Sequence, residues 1–263
     1  AILSSNTSGL SVQSLSDCLP EALRSRFLVT HFFNPPRYLH LLELVPGPLT
    51  DPVVYSRMAE FGENVLGKGV VHAKDTPNFI ANRIGTFGLL HAVKLMVEKK
   101  YTIAEVDRLT GKAIGRPKSA TFRTADLVGL DTLLHVSQNM YDSLPDDPAR
   151  DLFVPPTFVQ GMLEKKWLGE KTGAGFYKKS KGADGKTEIL MLDPDSMEHV
   201  PQGKVAIPSL EIGKNLEDLG DRLVSFMKAK DRGGEFIWEN LSQTLLYAAG
   251  QIPEISDDIV NVD

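Results

Sequence analysis

Apolar and polar positions follow two different patterns along the chain, and the change falls near residue 74. Before it, short apolar runs alternate with turn signals. Ala1 to Ser5 reads as a buried strand ending in the polar turn Ser5-Asn6-Thr7-Ser8-Gly9. Leu15, Leu19 and Leu23 share one helical face, which predicts a helix over 14–26. Phe27 to Phe33 and Tyr38 to Val45 read as strands, separated by the breaker Asn34-Pro35-Pro36. Asp51 and Pro52 suit an N-cap and first helical position, opening a helix to about Leu66. Gly69 to Ala73 adds a last strand, so the region reads as an α/β layer.

From residue 75 the spacing becomes helical. Phe79, Ile80, Ile84, Phe87, Leu90, Val93, Leu95 and Val97 predict a long, largely buried helix to Lys100. Thr102 and Glu105 form a capping box for the next one. Further helices are expected over 126–141 and 156–167. Residues 180–201 are polar and read as a linker or exposed hairpin, followed by a helical part over 209–263. A faint repeat aligns Phe79-Ile80-Ala81-Asn82 with Phe236-Ile237-Trp238-Glu239, and Glu105-Val106-Asp107 with Asn261-Val262-Asp263. Chance competes with that alignment. If the repeat holds, its apolar stripe (Leu219, Leu223, Phe226, Phe236, Ile237, Leu241, Leu245) packs on the first helical domain as an intramolecular pseudo-dimer.

Bulk properties narrow the function classes. The net charge is −5 without a long basic run, which disfavours nucleic acid and anionic membrane as partners. No apolar run approaches a bilayer span, and no signal peptide is legible. A single cysteine, Cys18, excludes an intrachain disulfide and suggests a reducing, cytoplasmic setting. The chain opens with Ala1 in an apolar run, which reads as a cut inside a longer protein; a processed terminus is the alternative.

Candidate chemistry is sparse. A hairpin centred near Arg37 would set His31 opposite Glu43, and a carboxylate beside an imidazole suits a general base. The spacing alone is equally that of a surface coincidence. Neither zinc-ligand spacing nor a Gly-x-Ser-x-Gly elbow occurs, so no metal site is expected. Gly173-Ala174-Gly175 reads as a turn rather than a dinucleotide fingerprint. Asn82 suits a substrate carbonyl or an ordinary solvated turn, and Ser8 a ligand contact or a Ser-turn. Arg116, Lys118 and Arg123 could meet an anionic ligand or simply be solvated.

Taken in order, Ser5-Asn6-Thr7-Ser8, His31-Phe32-Phe33-Asn34-Pro35, Leu42-Glu43-Leu44-Val45 and Asp75-Thr76-Pro77-Asn78-Phe79-Ile80-Ala81-Asn82-Arg83 resemble the successive motifs of 3-hydroxyacyl-CoA dehydrogenases. Gly129-Leu130-Asp131 and Gly169-Glu170-Lys171-Thr172-Gly173-Ala174-Gly175-Phe176-Tyr177 continue the match, which covers about residues 1–180. It is nearest to the bifunctional members, in which the dehydrogenase is fused to an enoyl-CoA hydratase. The resemblance implies NAD-dependent oxidation of (S)-3-hydroxyacyl-CoA in fatty-acid β-oxidation. His31 would be the base, Glu43 its orienting acid, Asn82 and Ser8 the substrate-positioning residues, and Ser8 and Asn34 neighbours of the cofactor. It also implies an α/β remnant, the end of a Rossmann domain, over 1–73, then a helical domain over 74–180. A linker and a partial, degenerate second helical domain would follow over 181–263.

Two departures stand out. The family's opening Gly-x-Gly-x-x-Gly turn and ribose-binding acid are not among these residues, and Glu239 occupies the repeat position of Asn82. Two rival readings are a non-catalytic helical interaction module derived from that family and a dehydrogenase of a small β-hydroxy acid that does not use CoA. Intact His31, Glu43 and Asn82 oppose the first, and the His-Phe-Phe-Asn-Pro motif opposes the second.

Overall fold

The computed structural model describes residues 1–182 and 185–263. They form two compact units, residues 1–85 with 245–263, and residues 86–244.

The first unit is built on a four-stranded sheet in the order β1 (Leu3–Ser5), β2 (Phe27–Phe32), β3 (Leu41–Pro46), β4 (Gly69–His72). β1–β2 and β3–β4 are parallel, and the central β2–β3 pair is an antiparallel hairpin. Strand alternation divides its side chains between two faces. Leu28, Leu42 and Leu44 meet Val54, Tyr55 and Met58 of helix α3 (Pro52–Glu60) on one face. Phe27, Val29 and Val45 meet Val12, Phe79, Ile80 and Ile255 on the other.

The expected helix over 14–26 is two short ones, α1 (Val12–Asp17) and α2 (Glu21–Arg24). Pro20 between them lacks the N–H that a continuous helix needs. Asp51 caps α3 as expected, and the helix continues to Val65 in a π turn.

The largest departure from expectation lies at the C-terminus. Residues 259–262 form turns and not a counterpart of the Glu105 helix. Ile255 is fully buried in the α/β core, and its carbonyl accepts from Lys74 N at 2.9 Å. Asn261 Oδ1 takes His72 N at 2.8 Å, on the edge strand β4. Arg83, nearly inaccessible, binds Glu254 at 2.6 Å and Tyr247 OH at 3.2 Å. Residues 245–263 thus complete the first unit, whereas the sequence pattern groups them with helices.

The second unit is mainly helical and carries a small antiparallel sheet. α4 (Ala81–Lys99) supplies Ala92, Val93, Leu95 and Met96 to its core. Val97, expected inside, is exposed. α5 (Ile103–Thr110) has the expected capping box. The expected helix over 126–141 is instead α6 (Phe122–Val128) and α7 (Leu130–Ser143), broken at Gly129, whose φ of 99° no continuous helix allows. α8 (Thr157–Glu164) follows. The polar stretch after it is a three-stranded sheet of β5 (Tyr177–Lys181), β6 (Thr187–Asp193) and β7 (Glu198–Pro201).

α9 (Pro208–Gly213), α10 (Leu219–Lys228) and α11 (Arg232–Gly250) close the chain's helical part. Phe226, Phe236 and Ile237 of the expected stripe are buried, with Phe236 edge-on to Tyr101 at 5.0 Å. Asn240 Nδ2 donates to Gly88 O on α4 at 3.1 Å. Leu245 and Leu219, from the same stripe, are exposed, because only one side of each helix faces the core.

Gly175 lies on Asp126, since a Cβ there would fall 2.0 Å from Asp126 Oδ1. That close approach lets Asp126 accept Phe176 N and Tyr177 N, each at 2.8 Å. The Gly173-Ala174-Gly175 segment is therefore a turn clasped by a buried carboxylate. Burial pushes the carboxyls of Asp126 and Asp107 up to about 6 despite the hydrogen bonds they accept. Between about pH 4 and about pH 6 the folded protein holds protons that the unfolded chain has released, so these groups lower stability as pH rises. Asp126→Asn is expected to flatten part of that slope. Urea midpoints measured at both ends of the window check it, and an unchanged slope would count against the assignment.

Candidate active site

The chemistry collects in the first unit, at the carboxyl ends of β1 and β2. In the β2–β3 register His31 stands directly opposite Glu43. Alternation puts both on the face that carries Val29 and Val45, so the pair points into the core. His31 Nδ1 and Glu43 Oε2 are 2.6 Å apart, with 4% and 0% of the side chains exposed. The ring is packed between Phe33 and Phe79, at centroid distances of 4.4 and 5.8 Å. A carboxylate only accepts, so Nδ1 carries the proton of this contact and Nε2 is left as the basic nitrogen.

Glu43 is held from its other side by the chain leading into α4. Oε1 accepts Ile80 N at 3.2 Å and Ala81 N at 2.7 Å. These amides are turned toward it by Asn78 and Phe79, both left-handed, with φ of 62° and 52°. That conformation is unusual for a bulky aromatic and costs backbone strain. The same turn lays Phe79 against the imidazole.

The segment 75–82 also anchors the loop after β1. Asp75 Oδ1 accepts Val12 N at 2.8 Å, and Oδ2 accepts Gln13 N at 2.9 Å and Ser11 Oγ at 3.1 Å. Asn78 abuts Gly9, where a Cβ would come 2.4 Å from its Oδ1. Asn82 Nδ2 donates to Ser8 O at 3.1 Å. On the far side of the loop, Asn6 Oδ1 accepts Phe32 N at 2.8 Å, next to His31.

Of the candidate residues, the structure joins His31 with Glu43, and Asn82 with the backbone of Ser8. The Ser8 side chain is exposed, as is Asn34, which follows β2 and shares no hydrogen bond with the other candidates. Sequence spacing singles out Asn82 within its segment and misses Asp75, Asn78 and the two amides. Backbone donors have no residue-type signature, and Asp75 reads as a generic helix-start acid. Among the described residues no cluster fit to hold a metal occurs, and no helix is long and apolar enough to cross a membrane.

Asp75→Ala removes three accepted hydrogen bonds at the start of α1. It is expected to cost on the order of 1–2 kcal/mol, the scale of a lost cap. Amide exchange at Val12 and Gln13 should accelerate. Unchanged protection there would mean that Asp75 does not hold the loop.

A polar site at the carboxyl edge of the strands of an α/β layer lies where open α/β sheets take their ligands. Residues 1–76 match the model of the 3-hydroxyacyl-CoA dehydrogenase NAD binding domain, and residues 79–179 match that family's C-terminal domain. The chain belongs to the 3-hydroxyacyl-CoA dehydrogenase family. It is 51% identical over 263 residues to a probable 3-hydroxyacyl-CoA dehydrogenase of Bacillus subtilis, covering 100% of this chain and 33% of that protein. It is 32% identical to a putative fatty acid oxidation complex trifunctional enzyme of Rickettsia felis, covering 100% of this chain and 35% of that one. Among solved structures, (S)-3-hydroxybutyryl-CoA dehydrogenase from Ralstonia eutropha superposes with a TM-score of 0.59 at 29% identity, covering 66% of this chain and 59% of that one. The chain thus spans about a third of the length of these two curated relatives.

Proposed function

We propose that this chain supplies the base dyad and substrate-positioning residues for NAD-dependent oxidation of (S)-3-hydroxyacyl-CoA to 3-ketoacyl-CoA in fatty-acid oxidation. The observation that carries the reading is the buried His31–Glu43 contact, anchored on two amides at the carboxyl edge of the sheet. His31 Nε2 accepts the proton of the 3-hydroxyl as the carbon–hydrogen bond breaks. Glu43 keeps the Nδ1 proton in place and stabilises the imidazolium that results. Asn82 and Ser8 position the substrate oxygen. NAD, held with its nicotinamide end near Ser8 and Asn34, would supply the hydride acceptor.

The residues present fit one end of that cofactor. Ser8 and Asn34, exposed at the ends of β1 and β2, suit the nicotinamide side. No Gly-x-Gly-x-x-Gly turn lies among these residues to cradle a pyrophosphate. This chain by itself is therefore expected to bind NAD weakly or not at all. Titration calorimetry checks it, and micromolar affinity would show that the phosphates are held by other means.

We assign residues 1–73 to the final part of the NAD-binding domain and residues 74–180 to the family's helical domain. The contact of α11 with α4 through Asn240 and Gly88 supports an internal pseudo-dimer of helical elements over the second unit. The Rickettsia relative is named a trifunctional enzyme, which supports a multifunctional parent protein; an enoyl-CoA hydratase is the fused partner that the resemblance to bifunctional members implies. NADH formation by the full-length protein with (S)-3-hydroxyacyl-CoA tests the whole reading; absence of NADH with every chain length would overturn it.

A further inference from the structure

The second unit contains a groove that the dyad chemistry does not use. It is a cavity of about 1330 Å³, walled by α5, α6, β6, residues 202–207 and α9. A smaller chamber of about 410 Å³ adjoins it and shares Asp107, Arg108, Lys118 and Lys214. The two ends differ in chemistry. Leu127, Ile189, Val205 and Ile207 line the larger groove, and Leu127 and Ile189 are more than half exposed. The small chamber is lined by Arg108, Lys112, Lys118, Lys214 and Arg222.

Glu211, on the wall of the larger groove, faces Lys214 and more weakly Arg108 and Lys204, and one carboxylate does not balance the cations gathered here. Lys214 pairs with Glu211. Arg108, Lys112, Lys118 and Arg222 have no ion-pair partner among the described residues. Arg222 Nε is buried and has no hydrogen-bond acceptor. The one carboxylate in the small chamber, Asp107, already accepts Thr121 N, Phe122 N, Arg123 N and Tyr177 OH at 2.7–3.1 Å. Its lone pairs are committed to the protein's own donors, so they are poorly placed to serve the cations. A chain with net charge −5 that gathers four unpaired cations around one chamber, with an orphaned guanidinium N–H, has the donor set of an anion site.

We propose that this groove binds an acyl-CoA, with its phosphates in the Arg108–Lys112–Lys118–Arg222 chamber and its acyl chain along Leu127, Ile189, Val205 and Ile207. A free fatty acid would bring one charge to several cations. A nucleotide alone would leave the apolar wall in water. An acyl-CoA has a phosphate-rich end and an apolar end, which matches both. The choice of acyl-CoA among phosphate-bearing amphiphiles rests on the functional reading above; the anionic and apolar halves of the site do not. The site lies wholly within residues 104–226 and shares no lining residue with the His31 dyad.

Hydrogen exchange read by mass spectrometry on this chain, with palmitoyl-CoA below its micelle concentration, tests the proposal. Slowed exchange over 104–128 and 202–214 is expected, with weaker slowing by CoA alone and by palmitate. Lys112→Glu combined with Lys118→Glu should weaken palmitoyl-CoA binding by at least about ten-fold, whereas the two Lys→Arg changes should preserve it. Circular dichroism confirms that each variant is folded, and the Lys→Arg pair decides the matter if the Glu pair is not. Slowed exchange only around residues 6–11 and 31–34, slowing by palmitate equal to that by palmitoyl-CoA, or equal affinity of the Glu and Arg pairs would overturn it. Failure of the functional reading is distinguishable: the full-length protein would then form no NADH while the groove still binds palmitoyl-CoA.

Discussion

His31→Gln in the full-length protein is expected to lower turnover by about a hundred- to ten-thousand-fold and to leave acyl-CoA binding largely intact. Glutamine fills much of the imidazole's place between Phe33 and Phe79 and can still donate to Glu43. It has no nitrogen able to accept a proton at neutral pH. The loss should therefore fall on kcat, with KM little changed, since the missing interaction forms as the hydroxyl proton departs. Steady-state NADH formation measures it. Near-normal kcat in this variant would remove His31 from the chemistry altogether.

Glu43→Ala is expected to destabilise the first unit by about 3 kcal/mol or more, because it strands several buried donors. Three donors converge on this carboxylate, from His31 Nδ1, Ile80 N and Ala81 N, in a place with no solvent access. Alanine would leave all three without an acceptor, and each buried unpaired group costs about 1–3 kcal/mol. Glu43→Gln keeps the shape and one acceptor oxygen, so it should retain more stability, and more turnover than His31→Gln. Urea unfolding of the three proteins ranks them. If alanine unfolds at the same midpoint as the parent, the carboxylate is not the structural hub described here.

Much of the site was legible because it depends on local rules. The break at Asn34-Pro35-Pro36 fixes where the β2–β3 hairpin turns, and strand alternation then requires His31 and Glu43 to share a face. The Thr102–Glu105 box and the Asp51–Pro52 start were readable for the same reason, since each is a contact within one turn of chain. Helix breaks were less legible. Leu15, Leu19 and Leu23 keep helical spacing straight through Pro20, and only the proline's missing donor marks the interruption.

What the sequence determined by itself is the order of strands β1 to β4 and of helices α3 to α5, the facing of His31 and Glu43, and the family, because periodicity, breakers and ordered motifs are properties of neighbours along the chain. Only the tertiary structure decided that Ile80 and Ala81 amides hold Glu43, that Asp75 clasps the loop carrying Ser8, and that Ile255 and Asn261 return to finish the first unit. It alone gathered Arg108, Lys118 and Arg222 around one chamber. These are contacts between residues far apart in sequence, several made by backbone groups that every residue possesses. Their partners are selected by the packing of the finished core, where a buried donor must find an acceptor, and no local pattern records that choice.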